Sequence, residues 1–379
     1  MNNHLNAKKI NLIIFHPFSF LGGADRSIAR LINGLSAKKY RFFFISLNKP
    51  SIKKLINQKV EFITINSKKT LFSIFKLRKI LKNFNTSQSK NFFLSNQNFA
   101  NIVSVLSSTN LKRIKTILIE RNHISELNYG DNIFVLFKNK VILILMSILY
   151  KFADYIITNS FESSYDLSRH IKKKVITIQN ASNEKNILKK LKIKKIKKIK
   201  KKFIILNVGF FENQKNQITL LKSLKYLKKK IPNILLILIG NGSLKEELKL
   251  FVKNNNLQKN VKIFDNVHNP ENFYKIADLF VLSSIYEGFP NVLVEALSSR
   301  CPIISSNCKS GPKEILANGK YGDFFNMKDD MQLSKKIFAH FKNPKRLKKK
   351  IENVNIHLSK FETKRYITSY EKIFNKKNA

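Results

Sequence analysis

Residues 284–296 read Ser284-Ile285-Tyr286-Glu287-Gly288-Phe289-Pro290-Asn291-Val292-Leu293-Val294-Glu295-Ala296, and they follow the apolar run Leu279-Phe280-Val281-Leu282. Four bulky apolar residues in a row, ending at Ser283-Ser284, have the pattern of a strand buried on both faces, as in a parallel sheet. Gly288 and Pro290 break the chain into a turn. Asn291 has the chemistry of a helix N-cap, and residues 292–297 supply the first turns of an apolar helix. Glu287 is then expected in the loop at the carboxyl end of a strand, and Glu295 about two turns into the following helix. Ligands of open parallel sheets bind at that edge. A helix N-terminus placed there offers unbonded N–H groups and a positive dipole end to a phosphate. Acids for hydroxyls and a helix end for a diphosphate together suit a sugar nucleotide.

The rest of the chain repeats the strand–helix alternation. Apolar strand-like runs at 10–15, 42–47, 61–65, 92–95, 117–120 and 155–158, with a short one at 175–178, are separated by helical patterns. A second series lies at 203–208, 235–239, 261–264, 279–282 and 302–305. Such alternation predicts βαβ units and parallel sheets covered on both faces. Between the two series runs a Lys-rich stretch, 185–202, whose apolar residues recur every two or three positions; it suits an irregular amphipathic helix or a solvated linker, and the domain boundary is expected there. The expected organisation is an N-terminal Rossmann-like domain (1–184), a polybasic linker (185–202), a second Rossmann-like domain (203–358) and a C-terminal segment (359–379).

The 379 residues are enough for two ordinary domains, and 43% hydrophobic residues can fill their cores. The two cysteines, Cys301 and Cys308, build no disulfide framework and have no cluster of metal ligands around them in the sequence. A formal net charge of +47, with abundant Lys, Asn, Ile and Phe and no Trp, has the look of compositional bias. It nevertheless makes a surface that attracts anionic headgroups and acidic nucleotides. A nucleic-acid-binding protein is the competing reading of that charge. No helix-turn-helix, zinc-finger or RNA-recognition motif supports it, and the lysines are spread over the whole chain. Residues 1–9 are polar, so no secretory signal is expected. The longest apolar stretch, around 133–150, is interrupted by Lys138, Asn139 and Lys140. Its clean part, 141–150, falls short of the roughly 20 residues that span a bilayer. A cytoplasmic protein, peripheral on the inner face of the membrane, is expected.

Glu287-x7-Glu295 with Gly288-Phe289-Pro290-Asn291 inside it, continued by Ser310-Gly311-Pro312-Lys313-Glu314-Ile315, resembles the donor-site signature of the retaining glycosyltransferases of family 4. The resemblance covers most of the chain and is strongest over 203–323. It implies an α/β fold of the GT-B type: two doubly wound Rossmann-like domains facing a central cleft. The first would bind the acceptor, the second the nucleotide sugar, and the final helix, near 361–374, would cross back to the first domain. Gly22-Gly23 and Arg26 resemble the family's N-terminal loop near the diphosphate and acceptor. Gly209 opens the loop that normally carries an Arg and a Lys as the diphosphate clamp; here Lys215 is present but Phe210 stands where the Arg is usual. Gly240, in Gly240-Asn241-Gly242, and His268 resemble elements around the base. His123, after Glu120-Arg121-Asn122, is expected to touch the transferred sugar or the acceptor. Arg300 stands where a helix-ending Gly is common, which predicts a strained left-handed cap.

The resemblance implies transfer of a hexose or N-acetylhexosamine from a nucleotide-diphosphate sugar, UDP-linked, to a glycan or polyprenyl-diphosphate-linked acceptor in bacterial surface polysaccharide synthesis. No metal and no cofactor are expected, because helix ends and cations replace Mg²⁺ at the phosphates. Glu287 and Lys215 would act at the reacting centre, and Glu295 would hold the ribose. Phe210 motivates a further reading on the same fold, a sugar-nucleotide-binding subunit without catalysis; another GT-B enzyme, such as a sugar-nucleotide 2-epimerase, is a separate alternative.

Overall fold

The computed structural model describes residues 9–182, 202–265, 267 and 270–376. Of the expected linker all but Lys202 lies outside the described residues, and so does His268. Contacts divide the chain into two units, Met1–Ala181 with Thr363–Ala379, and Ser182–Glu362.

The first unit holds seven parallel strands: β1 (Ile10–Phe15), β2 (Tyr40–Ser46), β3 (Val60–Thr64), β4 (Asn91–Asn96), β5 (Ile114–Glu120), β6 (Tyr155–Thr158) and β7 (Ile176–Thr177), in the order β3-β2-β1-β4-β5-β6-β7. Every residue of β1 is buried. Its side chains alternate between two cores: Leu12 and Ile14 face a cluster with Ile28, Leu31 and Ile32 of helix α1 (Gly23–Gly34), while Ile13 and Phe15 face one with Leu77 and Leu81 of α2 (Ile74–Asn85). That two-sided burial is why the run is continuously apolar rather than alternating. Helices α3 (Asn98–Ser108), α4 (Ile133–Leu149) and α5 (Phe161–Ile171) complete the layer on the α2 side, with Ile102, Val105, Ile142, Met146, Leu167 and Ile171 in a common core.

The Thr363–Phe374 helix belongs to this first unit. Its Tyr366, Ile367, Tyr370, Ile373 and Phe374 join the α1 cluster, and the Phe374 ring lies 5.0 Å from that of Phe92. A Cβ on Gly34 would lie 2.5 Å from Ile367 Cδ1, so any larger residue there would force the Ile367 side chain to move.

The second unit holds β8 (Phe203–Val208), β9 (Ile234–Ile239), β10 (Val261–Phe264), β11 (Leu279–Leu282), β12 (Ile303–Ser306) and β13 (Asp323–Phe325), in the order β10-β9-β8-β11-β12-β13. Again alternate residues serve opposite faces: Ile205, Leu236 and Val281 lie in one core, Ile204, Leu235 and Phe280 in another. In both sheets the order reverses beside the first strand, between β1 and β4 and between β8 and β11. The loops that follow those neighbouring strands are therefore held side by side.

Three expectations need correction. Strand β13 was not anticipated, since three residues at a sheet edge carry too little pattern. The apolar stretch is not broken at 138–140: one helix runs through Ile133–Leu149 and continues as a 3₁₀ turn, Tyr150–Phe152. Lys138 and Lys140 project to solvent, while Asn139 turns inward and donates to the Tyr129 carbonyl at 2.9 Å. The whole 20-residue stretch Ile133–Phe152 is long and apolar enough to cross a membrane by length and composition. Lastly, Pro290 rather than Asn291 is the N-cap of the Asn291–Ser298 helix, and Glu295, its fifth residue, lies little more than one turn in rather than two.

Arg300 adopts the left-handed conformation, at φ +57°, just beyond that helix. Its guanidinium donates to the Ile351 carbonyl at 2.6 Å and to Asn355 Oδ1 at 2.8 Å, so the side chain that strains the backbone also anchors it. Both Arg300→Ala and Arg300→Gly lose those bonds, but only Ala keeps the strain. Urea unfolding is expected to find the Gly variant more stable than the Ala variant by about 1 kcal/mol; equal stabilities would remove strain from the account.

Candidate active site

In the second unit the loop after β8 and the loop after β11 are stitched together along their length. Ile285 N–H donates to the Gln214 carbonyl at 2.8 Å, Gln214 Nε2 to the Tyr286 carbonyl at 2.9 Å, and Ser283 Oγ to the Lys215 carbonyl at 2.7 Å. This seam brings Lys215 Nζ to 2.6 Å from Glu287 Oε1, and Ser284 Oγ donates to the same oxygen at 2.7 Å. Glu287 is only 4% exposed. A buried carboxylate needs such partners, because desolvation otherwise costs several kcal/mol. The Lys215 stem passes over Gly209, where a Cβ would lie 3.5 Å from it.

Four residues on, the Asn291–Ser298 helix begins. Its N-cap residue, Pro290, has no side chain that can bond the first N–H groups. Asn291 Oδ1 instead accepts from Ser182 Oγ at 2.6 Å. The turn into the helix is buttressed from behind: Ser310 Oγ donates to the Gly288 carbonyl at 2.9 Å. Gly311, at φ +82°, approaches so closely that a Cβ would lie 2.4 Å from Pro290 Cδ. The Ser310-Gly311-Pro312 motif thus shapes the loop that carries Glu287. Phe289 is buried, its ring edge-on to that of Phe361 at 5.4 Å. Glu295 is half-buried, and its Oε2 accepts from the Tyr274 hydroxyl at 3.0 Å.

The arrangement places a buried acid with a lysine, an uncapped helix N-terminus and a second acid one turn further along at a single strand edge. It can bind an anion at the helix end and hydroxyls at the acids. Gly240 backs the same loop, since a Cβ there would lie 1.9 Å from the Gly209 carbonyl oxygen. Phe210 is 48% exposed, so this position brings a ring and no cation to the loop.

In the first unit the Gly22-Gly23 loop is held by Asp25, whose carboxylate accepts from Ser19 Oγ at 2.5 Å, Gly22 N–H at 3.1 Å and Phe20 N–H at 3.2 Å. Burial would raise the Asp25 pKa, but these bonds and the neighbouring His16 outweigh it and lower the value below normal. Arg26 is exposed. His123 is 1% exposed; its Nδ1 accepts from Ser125 N–H at 3.0 Å, and its Nε2 lies 2.9 Å from Asp166 Oδ2. The ring therefore holds the loop after β5 to α5. Arg121 bridges Asn96, Ser27 and Asn180. Beneath it Glu120 is buried and accepts from Asn101 Nδ2 at 2.8 Å and from the Tyr150 hydroxyl. Burial, opposed by those two bonds, pushes its pKa up to about 8.

Sequence reasoning missed Ser284, Gln214 and Tyr274. In the sequence Ser284 reads only as the end of a strand, and Gln214, the neighbour of Lys215, suggests no role. Tyr274 carries no local signal: it meets Glu295 only through the packing of two helices.

Two doubly wound α/β units, with this constellation at the carboxyl edge of the second, are the GT-B glycosyltransferase architecture. The chain resembles the crystal structure of Anabaena HepE in complex with UDP and glucose, with a TM-score of 0.77 at 16% identity over 96% of this chain and 99% of that one. Residues 189–356 match the family model described as glycosyl transferases group 1. An uncharacterized glycosyltransferase of Methanocaldococcus jannaschii is 32% identical over 313 residues, 76% of this chain and 73% of the relative. The N-acetylgalactosamine-N,N'-diacetylbacillosaminyl-diphospho-undecaprenol 4-alpha-N-acetylgalactosaminyltransferase of Campylobacter jejuni is 26% identical over 83% of this chain and 85% of its own length. The chain belongs to the group 1 glycosyltransferases.

Two measurements check this geometry. In a double-mutant cycle on folding stability, Lys215→Ala and Glu287→Gln are expected to couple by at least about 1 kcal/mol, because removing the lysine alone strands a buried carboxylate. Additive effects would mean that the pair is not formed in solution. For Glu120, the folded chain holds a proton at pH values where the unfolded chain has released it. Its contribution to stability is therefore full below pH 4.5 and lost as pH rises through about 8. Across that window the Tm of wild type is expected to fall relative to Glu120→Gln, which keeps an acceptor for Tyr150 and Asn101. Parallel Tm curves would contradict a raised pKa.

Proposed function

We propose that this glycosyltransferase is a retaining enzyme that moves a hexose or N-acetylhexosamine from a UDP-sugar to a glycan on a polyprenyl-diphosphate carrier. The observation that carries this reading is the Lys215–Glu287–Ser284 constellation beside the uncapped Asn291–Ser298 helix. The donor diphosphate would sit at that helix N-terminus, with N–H groups around Gly288, Phe289 and Asn291 as its ligands. Glu295, held by Tyr274, would bind the ribose hydroxyls. Glu287 would bind sugar hydroxyls on the face where positive charge develops as the anomeric C–O bond breaks. Lys215 would share its ammonium between Glu287 and the leaving diphosphate, stabilising charge that appears in the transition state. With helix end and lysine at the phosphates, no metal is required. The acceptor hydroxyl forms the new bond, and its proton leaves with UDP. The first unit, with Gly22, Gly23 and Arg26, would take the acceptor. The carrier class rests on the Campylobacter relative, whose acceptor is a diphospho-undecaprenol glycan.

A specific feature favours one other reading. Phe210 brings no cation to the diphosphate loop, as expected of a subunit that binds sugar nucleotides without turning them over. UDP release from a panel of UDP-sugars, with lipid extract as acceptor, separates the two. Wild type is expected to release UDP in an acceptor-dependent way, and Glu287→Ala to lose about 10²–10³-fold in kcat. Tyr274→Phe is expected to raise the donor KM several-fold with little change in kcat, as a lost uniform binding interaction does. Intact donor binding with no release from any donor would establish the non-catalytic reading instead.

A further inference from the structure

The outward face of α4 has no partner among the described residues. Phe134, Phe137, Val141, Ile144 and Ile148, with Phe152 beyond the helix end, recur at spacings of three and four and are exposed, Phe134 to 81% and Phe137 to 70%. They form one apolar stripe. The opposite stripe, Ile142, Met146 and Tyr150, is built into the core. Stretch 133–152 carries three basic residues, Lys138, Lys140 and Lys151, all exposed, and no carboxylate. On the adjoining helices Leu106 and Tyr165 are exposed as well, and the Arg169 guanidinium lies 5.7 Å from the Tyr165 ring centroid.

A stripe of large apolar side chains edged by lysines fits a surface that is apolar below and anionic above. We infer that α4 is a monotopic anchor that lies in the headgroup plane of an anionic bilayer, with Phe134, Phe137, Ile144 and Ile148 dipping into the acyl boundary. The helix does not span. Pulling it out of the unit would strip Ile142, Met146 and Tyr150 from the core and break the Tyr150–Glu120 and Asn139–Tyr129 bonds. A second copy of this chain is the poorer occupant, because it would bring a second +47 charge to a lysine-edged face. This deepens the proposed use of a lipid-linked acceptor: the protein would meet its acceptor at a surface rather than from solution.

The chain has no Trp, so Phe137→Trp makes a single reporter on the stripe. Its emission is expected to shift to the blue, and to be quenched by brominated acyl chains, with phosphatidylcholine vesicles containing phosphatidylglycerol but far less with phosphatidylcholine alone. Phe137→Ser/Ile144→Ser is expected to cut the vesicle-bound fraction about tenfold or more, with circular dichroism and Tm unchanged. Salt-sensitive binding without a blue shift would overturn insertion and leave only lysine attraction. Unchanged binding by the double variant would overturn the site. Vesicle binding untouched while light scattering shows a dimer split by the double variant would assign the stripe to a second copy. These vesicles hold no glycan acceptor, so the outcome is independent of whether the proposed transfer reaction is correct.

Discussion

Parallel strand order is the constraint on which the site of the second unit depends. Lys215 and Glu287 are 72 residues apart, yet β8 and β11 are hydrogen-bonded neighbours. The loops leaving their carboxyl ends therefore have nowhere to go except alongside each other. The main-chain bond from Ile285 to Gln214 and the side-chain bond from Gln214 to Tyr286 fix their register, and the ion pair follows. The same reversal of strand order between β1 and β4 puts the Gly22-Gly23 loop next to the end of β4, where Asn96 receives Arg121. Each site is thus a property of sheet topology before it is a property of any side chain.

The charge balance of the molecule divides sharply between surface and interior. Among the described residues no lysine is buried, whereas the rare carboxylates do much of the internal positioning. Asp25 ties down the glycine loop, and Asp278 accepts from Ile204 N–H at 2.9 Å across the second sheet. Glu120 anchors Tyr150, and Glu287 gathers Lys215 and Ser284. With so few acids in the chain, a buried one stands out as structurally or chemically committed.

Much of the fold was legible because doubly buried strands leave an unmistakable apolar signature: the runs at 10–15, 155–158, 203–208 and 279–282 coincide with β1, β6, β8 and β11. What escaped was either too short or too dependent on packing. β13 has three residues. Asn291 has the right chemistry for a cap, but Pro290 already occupies the capping position, and Ser182 takes the Asn291 side chain. Lys138, Asn139 and Lys140 looked like an interruption because a linear scan ignores direction; on a helix two of them face out and one faces in. Motif spacing identified the acids and Lys215. That Glu287 is buried, that Ser284 shares its oxygen, and that Tyr274 holds Glu295 are facts of three-dimensional neighbourhood. For His123 nothing in the sequence signalled that both ring nitrogens are engaged within its own unit, by Ser125 and Asp166.

The two units also differ in when they can be completed. The second is a continuous piece, Ser182–Glu362, while the first borrows Tyr366, Tyr370 and Phe374 from a helix that follows it in the chain. As the polypeptide leaves the ribosome, the α1 face of the first sheet must wait, with Tyr40 and Phe92 uncovered, until residues 363–374 have followed the whole of the second unit. The second unit is therefore able to finish folding before the unit that was begun first.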